Sequence, residues 1–141
     1  MSSHNDETQV RVYFCRNAAE GGEIPAALSK LEVREDIVLE PVPCGGRIDP
    51  RYLLKAVESG AEAVCVLTCA HGHCKLIEGN LRAARRIEAV RELIAEAGVD
   101  PDTVQLFLPE TDGQRAVEAA AERLAKFVDR RHGRARKVAV A

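Results

Sequence analysis

A chain of 141 residues has room for one ordinary domain and not for two. With 46% hydrophobic and 30% charged residues it is not a disordered segment, and a formal net charge of −2 with 4% aromatics and no Trp excludes a nucleic-acid platform built on charge or base stacking. No apolar run approaches the roughly 18 residues that span a bilayer, and residues 1–8 are too polar for a secretory leader, so the expected location is cytoplasmic.

After that polar lead, Val10, Val12 and Phe14 alternate with Arg11 and Tyr13, a strand signal ending at Cys15. Residues 22–31 read as a short helix with Pro25 in its first turn. Ile37 to Val42 is a second strand, followed by Pro43, Cys44, Gly45 and Gly46. Asp49 and Pro50 form an N-cap and first-turn pair, and the stripe Leu53, Leu54, Val57 ends at Gly60. Ala63 to Thr68 is apolar almost throughout, as expected of a strand covered on both faces.

A loop with Cys69, His71, Gly72, His73 and Cys74 follows, and Asn80 opens a long helix. Its apolar face is Leu81, Ala84, Ile87, Val90, Ile94 and Ala97, its arginines Arg82, Arg85 and Arg86 read as solvated, and Gly98 closes it. Val104 to Leu108 is the fourth strand, and Thr111 with Gln114 suggests a capping box for a last helix carrying Val117, Ala120, Leu124, Phe127 and Val128. The alternation of strand and helix predicts an α/β fold: a single open doubly wound domain, flavodoxin- or Rossmann-like, with about four parallel strands and helices on both faces. The expected division is a lead at 1–8, a domain at 9–129 and a basic, poorly ordered tail at 130–141.

Five cysteines without an export signal do not read as a disulfide framework. Cys15, Cys44 and Cys69 each stand at or just after the end of a strand, with Cys74 in the same loop as Cys69. In a parallel sheet those strand ends share one edge, where such folds place ligands. Four thiolates there satisfy an iron–sulfur cluster or a structural zinc, and the five-residue step from Cys69 to Cys74 also occurs in plant-type iron–sulfur sites. Cys65, inside the third strand, reads instead as an inert buried thiol.

Arg47 is the best cationic neighbour of the set, because Gly45 and Gly46 let backbone N–H groups approach a sulfur or an anion. With four cysteines filling the ligand shell, His71 and His73 are expected beside it as donors that couple its potential to pH, with direct ligation as the alternative. Two other classes remain: an adaptor built on zinc, and an enzyme with a reactive thiol such as Cys44 near a helix N-terminus.

The segments Tyr13-Phe14-Cys15, Val42 to Pro50 with its Cys-Gly-Gly-Arg core, and Cys69 to Cys74 followed by Glu78-Gly79-Asn80 resemble the iron–sulfur delta subunit of methyl-viologen-reducing hydrogenase, a module that recurs in heterodisulfide-reductase-linked complexes. The resemblance runs from about Val10 to Val128. It implies a small subunit with one [2Fe-2S] cluster. Such a protein relays electrons between two partners, a hydrogenase or other dehydrogenase subunit, and a flavin-containing heterodisulfide-reductase-like subunit. Where the resemblance implies a further cysteine, three residues after the first, this chain has Ala18, so Cys15, Cys44, Cys69 and Cys74 are read as the complete ligand set.

Overall fold

Four runs rich in β-branched and aromatic side chains become strands: β1 Val10–Cys15, β2 Ile37–Val42, β3 Ala63–Leu67 and β4 Val104–Phe107. The helices between and after them are α1 Ala26–Leu31, α2 Pro50–Glu58, α3 Gly79–Glu96 and α4 Gln114–Val140, with a 3-10 turn at Pro101–Thr103. The computed structural model describes residues 10–15, 25–31, 35–42, 48–68, 79–109 and 114–140, the side chains of 79–81, 114 and 132–140 excepted.

The strands form one parallel sheet in the order β2-β1-β3-β4. From β1 the chain steps outward to β2, crosses back over β1 to β3, and continues the other way to β4. Helices change faces with that reversal. α1 and α4 pack with Val10, Val12, Phe14, Cys65 and Leu67 on one side, whereas α2 and α3 pack with Tyr13, Val64, Val66 and Val104 on the other. This is the expected doubly wound α/β fold of flavodoxin-like order, and the reversal falls between β1 and β3. Every residue of β3 is buried, as its continuous apolar run requires.

β2 is an edge strand. Val10 N–H donates to the Asp36 carbonyl at 3.1 Å, and continuing that pattern through the register turns the backbone groups of Ile37, Leu39 and Pro41 away from β1. Pro41, which has no N–H, therefore costs the ladder nothing there.

The helix ends follow local chemistry. Asp49 caps α2 by accepting from the Arg51 N–H at 2.9 Å, and Pro50 opens the first turn. α2 and α3 both end in Schellman motifs: Gly60 and Gly98 take φ of +94° and +88°, and the following residues, Ala61 and Val99, donate back to the Ala56 and Ile94 carbonyls. On α3 the buried face is Ala83, Ile87, Val90 and Ile94, whereas Ala84 is half-buried and Ala97 exposed. The expected stripe was thus displaced by one position at one end and ran one turn too far at the other.

Asp49 also receives both the Nε and Nη2 of Arg51, at 3.0 and 2.8 Å, and these hydrogen bonds hold its carboxyl below the usual carboxylate range. A depressed acid contributes stability above its unfolded pKa and loses it as pH falls through the folded value. Asp49→Asn keeps a capping side chain without the charge. The stability gap between wild type and variant should therefore be present at neutral pH and close as pH falls below about 4, measured by urea unfolding along a pH series.

α4 does not stop at Asp129 but runs to Val140. Arg131, which the sequence placed in the tail, is instead anchored to the domain. Its guanidinium donates to the Glu62 carbonyl, Asp100 Oδ2 and Thr103 Oγ1 at 3.2, 3.1 and 2.9 Å, and lies 6.0 Å from the Phe127 ring centroid. No helix among the described residues is long and apolar enough to cross a membrane.

Candidate functional site

The carboxyl ends of β1, β2 and β3 lie side by side. Cys15, the last residue of β1, pairs with Val42, the last of β2, and its neighbour Phe14 pairs with Leu67, the last of β3. The reversal in strand order opens between β1 and β3 at this edge, the position where doubly wound sheets bind ligands. Cys15 is buried, at 1% exposure. Strand alternation places it on the same face of the sheet as Arg11 and Tyr13.

Cys44 follows Val42 by two residues and Cys69 follows Leu67 by two, with Cys74 five further on. These three cysteines, and with them Gly45, Gly46, Arg47, His71 and His73, lie outside the described residues. The described flanks of their segments are held firmly. Before Cys44, Val42 is in the ladder with Cys15; after Arg47, Ile48 is buried and its carbonyl accepts from Arg86 Nη1 at 2.8 Å. Before Cys69, Thr68 is buried and its N–H donates to the Phe107 carbonyl at 3.2 Å.

Arg86 is the residue that sequence reasoning missed. Grouped with Arg82 and Arg85 as a solvated face, it is half-buried and reaches across from α3 to fix the chain where α2 begins. No local signal separates it from its neighbours, because its partner is a backbone carbonyl 38 residues away.

Cys65 fits the expectation of an inert thiol. It is fully buried in mid-strand, opposite Val12 and Gln105, and burial pushes its pKa well above the ordinary thiol range. Among the described residues no group of three or more His, Cys, Asp or Glu comes together as a metal site, and Cys15 is their one contribution to the predicted ligand set. Chemically that contribution suits iron or zinc: a soft donor, reduced, at the ligand-binding edge.

Comparison with known proteins points the same way. Residues 10–130 match the family described as methyl-viologen-reducing hydrogenase, delta subunit. Over 119 residues, 84% of this chain and 90% of the relative, the chain is 28% identical to the vhu iron-sulfur subunit of the F420-non-reducing hydrogenase of Methanopyrus kandleri. It is 35% identical over 82 residues to the iron-sulfur subunit of the F420-non-reducing hydrogenase of Archaeoglobus profundus, a match spanning 57% of this chain and 60% of that relative. It is also 32% identical over 89 residues, 62% of this chain, to a stretch making up 11% of one subunit of the Ferredoxin:CoB-CoM heterodisulfide reductase of Methanosarcina mazei.

Proposed function

The chain belongs to the FlpD family, the delta subunit of methyl-viologen-reducing hydrogenase, and on that premise we propose that it is an electron-transfer subunit holding one [2Fe-2S] cluster on Cys15, Cys44, Cys69 and Cys74. One observation carries the reading: the ends of β1, β2 and β3 are neighbours, and every thiol in the set stands at one of those ends or in the segment that leaves it. Two residues of chain reach at most about 7 Å, so Cys44 and Cys69 start within reach of the edge that Cys15 occupies. The names of the relatives, iron-sulfur subunits of hydrogenases and one subunit of heterodisulfide reductase, support both the cofactor and its setting.

When bound, the cluster supplies one-electron redox chemistry. The protein's part is to hold it, tune it and present it. Burial of Cys15 keeps water from its side of the site. Arg47, with the N–H groups allowed by Gly45 and Gly46, is assigned to charge-stabilise the sulfurs, and His71 and His73 to link that stabilisation to pH. Arg86 is a positioning residue: by fixing Ile48 it fixes the exit of the segment that carries Cys44. Electrons pass between two partners in the cytoplasm, a hydrogenase or other dehydrogenase subunit, and a flavin-containing heterodisulfide-reductase-like subunit.

Anaerobically purified protein tests this directly. Iron and acid-labile sulfide should be present in the amounts one [2Fe-2S] cluster demands, with an EPR signal on reduction. The reduced protein should pass an electron to the flavin of the reductase-like subunit on mixing. A colourless protein carrying one zinc and no sulfide would make the chain an adaptor instead.

A further inference from the structure

α3 carries its charges in the order that a helix by itself disfavours. Arg82 and Arg85 stand in its first half and Glu88, Glu92 and Glu96 in its second, with no acid in the first turn and no base in the last. The helix dipole favours the reverse order, and three glutamates at i, i+4 spacing repel one another. A solvated face that served only the helix would place acids before bases.

The pattern has a symmetry. Ala83, Ile87, Val90 and Ile94 face the core, so a turn of about 100° per residue puts Arg82, Arg85, Ala89, Glu92, Leu93 and Glu96 in one outer stripe roughly 100° wide. All six are exposed, and Leu93, at 51%, is one of two large apolar side chains left exposed among the described residues. Arg82 and Glu96 lie equally far on either side of Ala89, as do Arg85 and Leu93. These four charges are uncommitted: none of Arg82, Arg85, Glu92 and Glu96 has an ion pair or side-chain hydrogen bond to a described residue. Their neighbours do. Arg86 holds the Ile48 carbonyl, and Arg91 reaches the Val104 carbonyl, Asp102 and, at 3.8 Å, Glu88. α2 packs beside α3 and runs the same way, since each returns the chain from the carboxyl to the amino edge of the sheet. It repeats the polarity, with Arg51 (paired to Asp49) at its start, Lys55 midway and exposed Glu58 at its end.

A partner of uniform charge would be drawn to one half of the stripe and repelled by the other. A second copy turned end for end fits both halves. Two α3 helices crossing antiparallel at Ala89, where a methyl group permits close approach, set Arg82 and Arg85 of each against Glu92 and Glu96 of the other. Each Leu93 then lies over the aliphatic stem of the opposite Arg85. This is the isologous contact of a two-fold dimer, in which one patch is its own complement.

We propose that the outer face of α3 is a dimerisation surface, which docks on the same face of a second copy about a two-fold axis near Ala89. The proposal does not depend on the cluster. It leaves both candidate sites open: α3 begins at the carboxyl edge of the sheet, so the two edges stand about 30 Å apart at opposite ends of the pair. The stripe is about 21 Å long and 10 Å across, which is below the roughly 800 Å² per partner of a standard interface. The dimer is therefore weak, with a Kd of about 10–500 µM, and it loosens with added salt.

Sedimentation equilibrium of the full chain, purified anaerobically with its iron recorded, tests this between about 10 µM and 1 mM. At low salt the wild type should show a monomer–dimer equilibrium. Arg82→Glu with Arg85→Glu makes the stripe acidic throughout, and Glu92→Arg with Glu96→Arg makes it basic throughout. Each pair of changes should weaken self-association by about tenfold or more, because like charges then meet across the axis. Mixed in equal amounts, the two variants should pair at least as tightly as wild type, and one chain with all four changes should dimerise again. All four positions are exposed, so the fold should be kept, and recovery on mixing excludes misfolding as the cause. A wild type that stays monomeric over this range at low salt overturns the proposal. So does self-association that neither variant alters, and so does a mixture that fails to pair. If both variants instead lose a purified heterodisulfide-reductase-like subunit that monomeric wild type binds, the face belongs to that partner and the proposal falls.

Discussion

Cys15→Ser is expected to give folded protein that purifies without iron or acid-labile sulfide, while Cys65→Ser keeps both and loses stability. The two cysteines sit in the same sheet and differ in where their strands place them. Cys15 ends β1 at the ligand-binding edge, where a serine hydroxyl is a poor substitute for a thiolate on iron. If the proposed set of four is right, removing one of them leaves three thiols, which cannot close around a cluster. Cys65 lies in mid-strand with no exposure, packed in the core that α4 and α1 cover. A hydroxyl left without a partner there costs about 1–3 kcal/mol. Iron, sulfide and thermal unfolding on the same three samples decide the matter. Retained iron in Cys15→Ser, or lost iron in Cys65→Ser at unchanged stability, would reverse the assignment of these thiols.

Arg131→Ala is expected to destabilise the fold by about 2–3 kcal/mol, whereas Arg130→Ala, one residue earlier and exposed, should stay within about 0.5 kcal/mol of wild type. Arg131 is only 16% exposed and joins three places at the end of the sheet opposite Cys15: the entry to β3 at Glu62, the turn at Asp100, and Thr103 just before β4. Its loss leaves Thr103, itself buried, short of a partner, and removes the guanidinium from the Phe127 ring, which packs against Phe107 at 5.8 Å between centroids. Two of the three contacts are to neutral oxygens, so most of the loss should persist at high salt, unlike that of an exposed ion pair. Arg131→Lys should not restore it, because one ammonium cannot reproduce the planar fork that meets three acceptors. Urea unfolding at low and high salt provides the measurement.

The elements were legible in the sequence wherever one local rule decided them. β2 begins and ends where its β-branched run does, Asp49 and Pro50 open α2, and Gly60 and Gly98 close α2 and α3 in left-handed conformations. Strand–helix alternation was enough to give the parallel sheet and hence the shared edge of Cys15, Val42 and Leu67. What escaped was long-range and polar. Arg86 and Arg131 look like the solvated arginines around them, and only the assembled fold brings the Ile48 and Glu62 carbonyls within reach. Arg11 and Lys55, 44 positions apart, likewise come to line one cleft between β1 and α2 only in the assembled fold. The candidate site was legible as a set of thiols because cysteine chemistry is conspicuous at any position, whereas a backbone carbonyl awaiting a guanidinium leaves no mark in composition.

Pro41 has a consequence for the life of a protein made before its partners arrive. An orphan α/β domain with a free sheet margin can recruit a strand from another copy and polymerise. Here the outward row of β2 can donate only from Ile37 and Leu39, and the third position, Pro41, offers a ring where a hydrogen should be. Exposed Glu40 beside it adds a charge that an incoming copy of the same strand would meet again. The β2 margin is therefore a poor template for backbone zippering, and an unassembled chain is guarded on that side against pairing with a copy of itself.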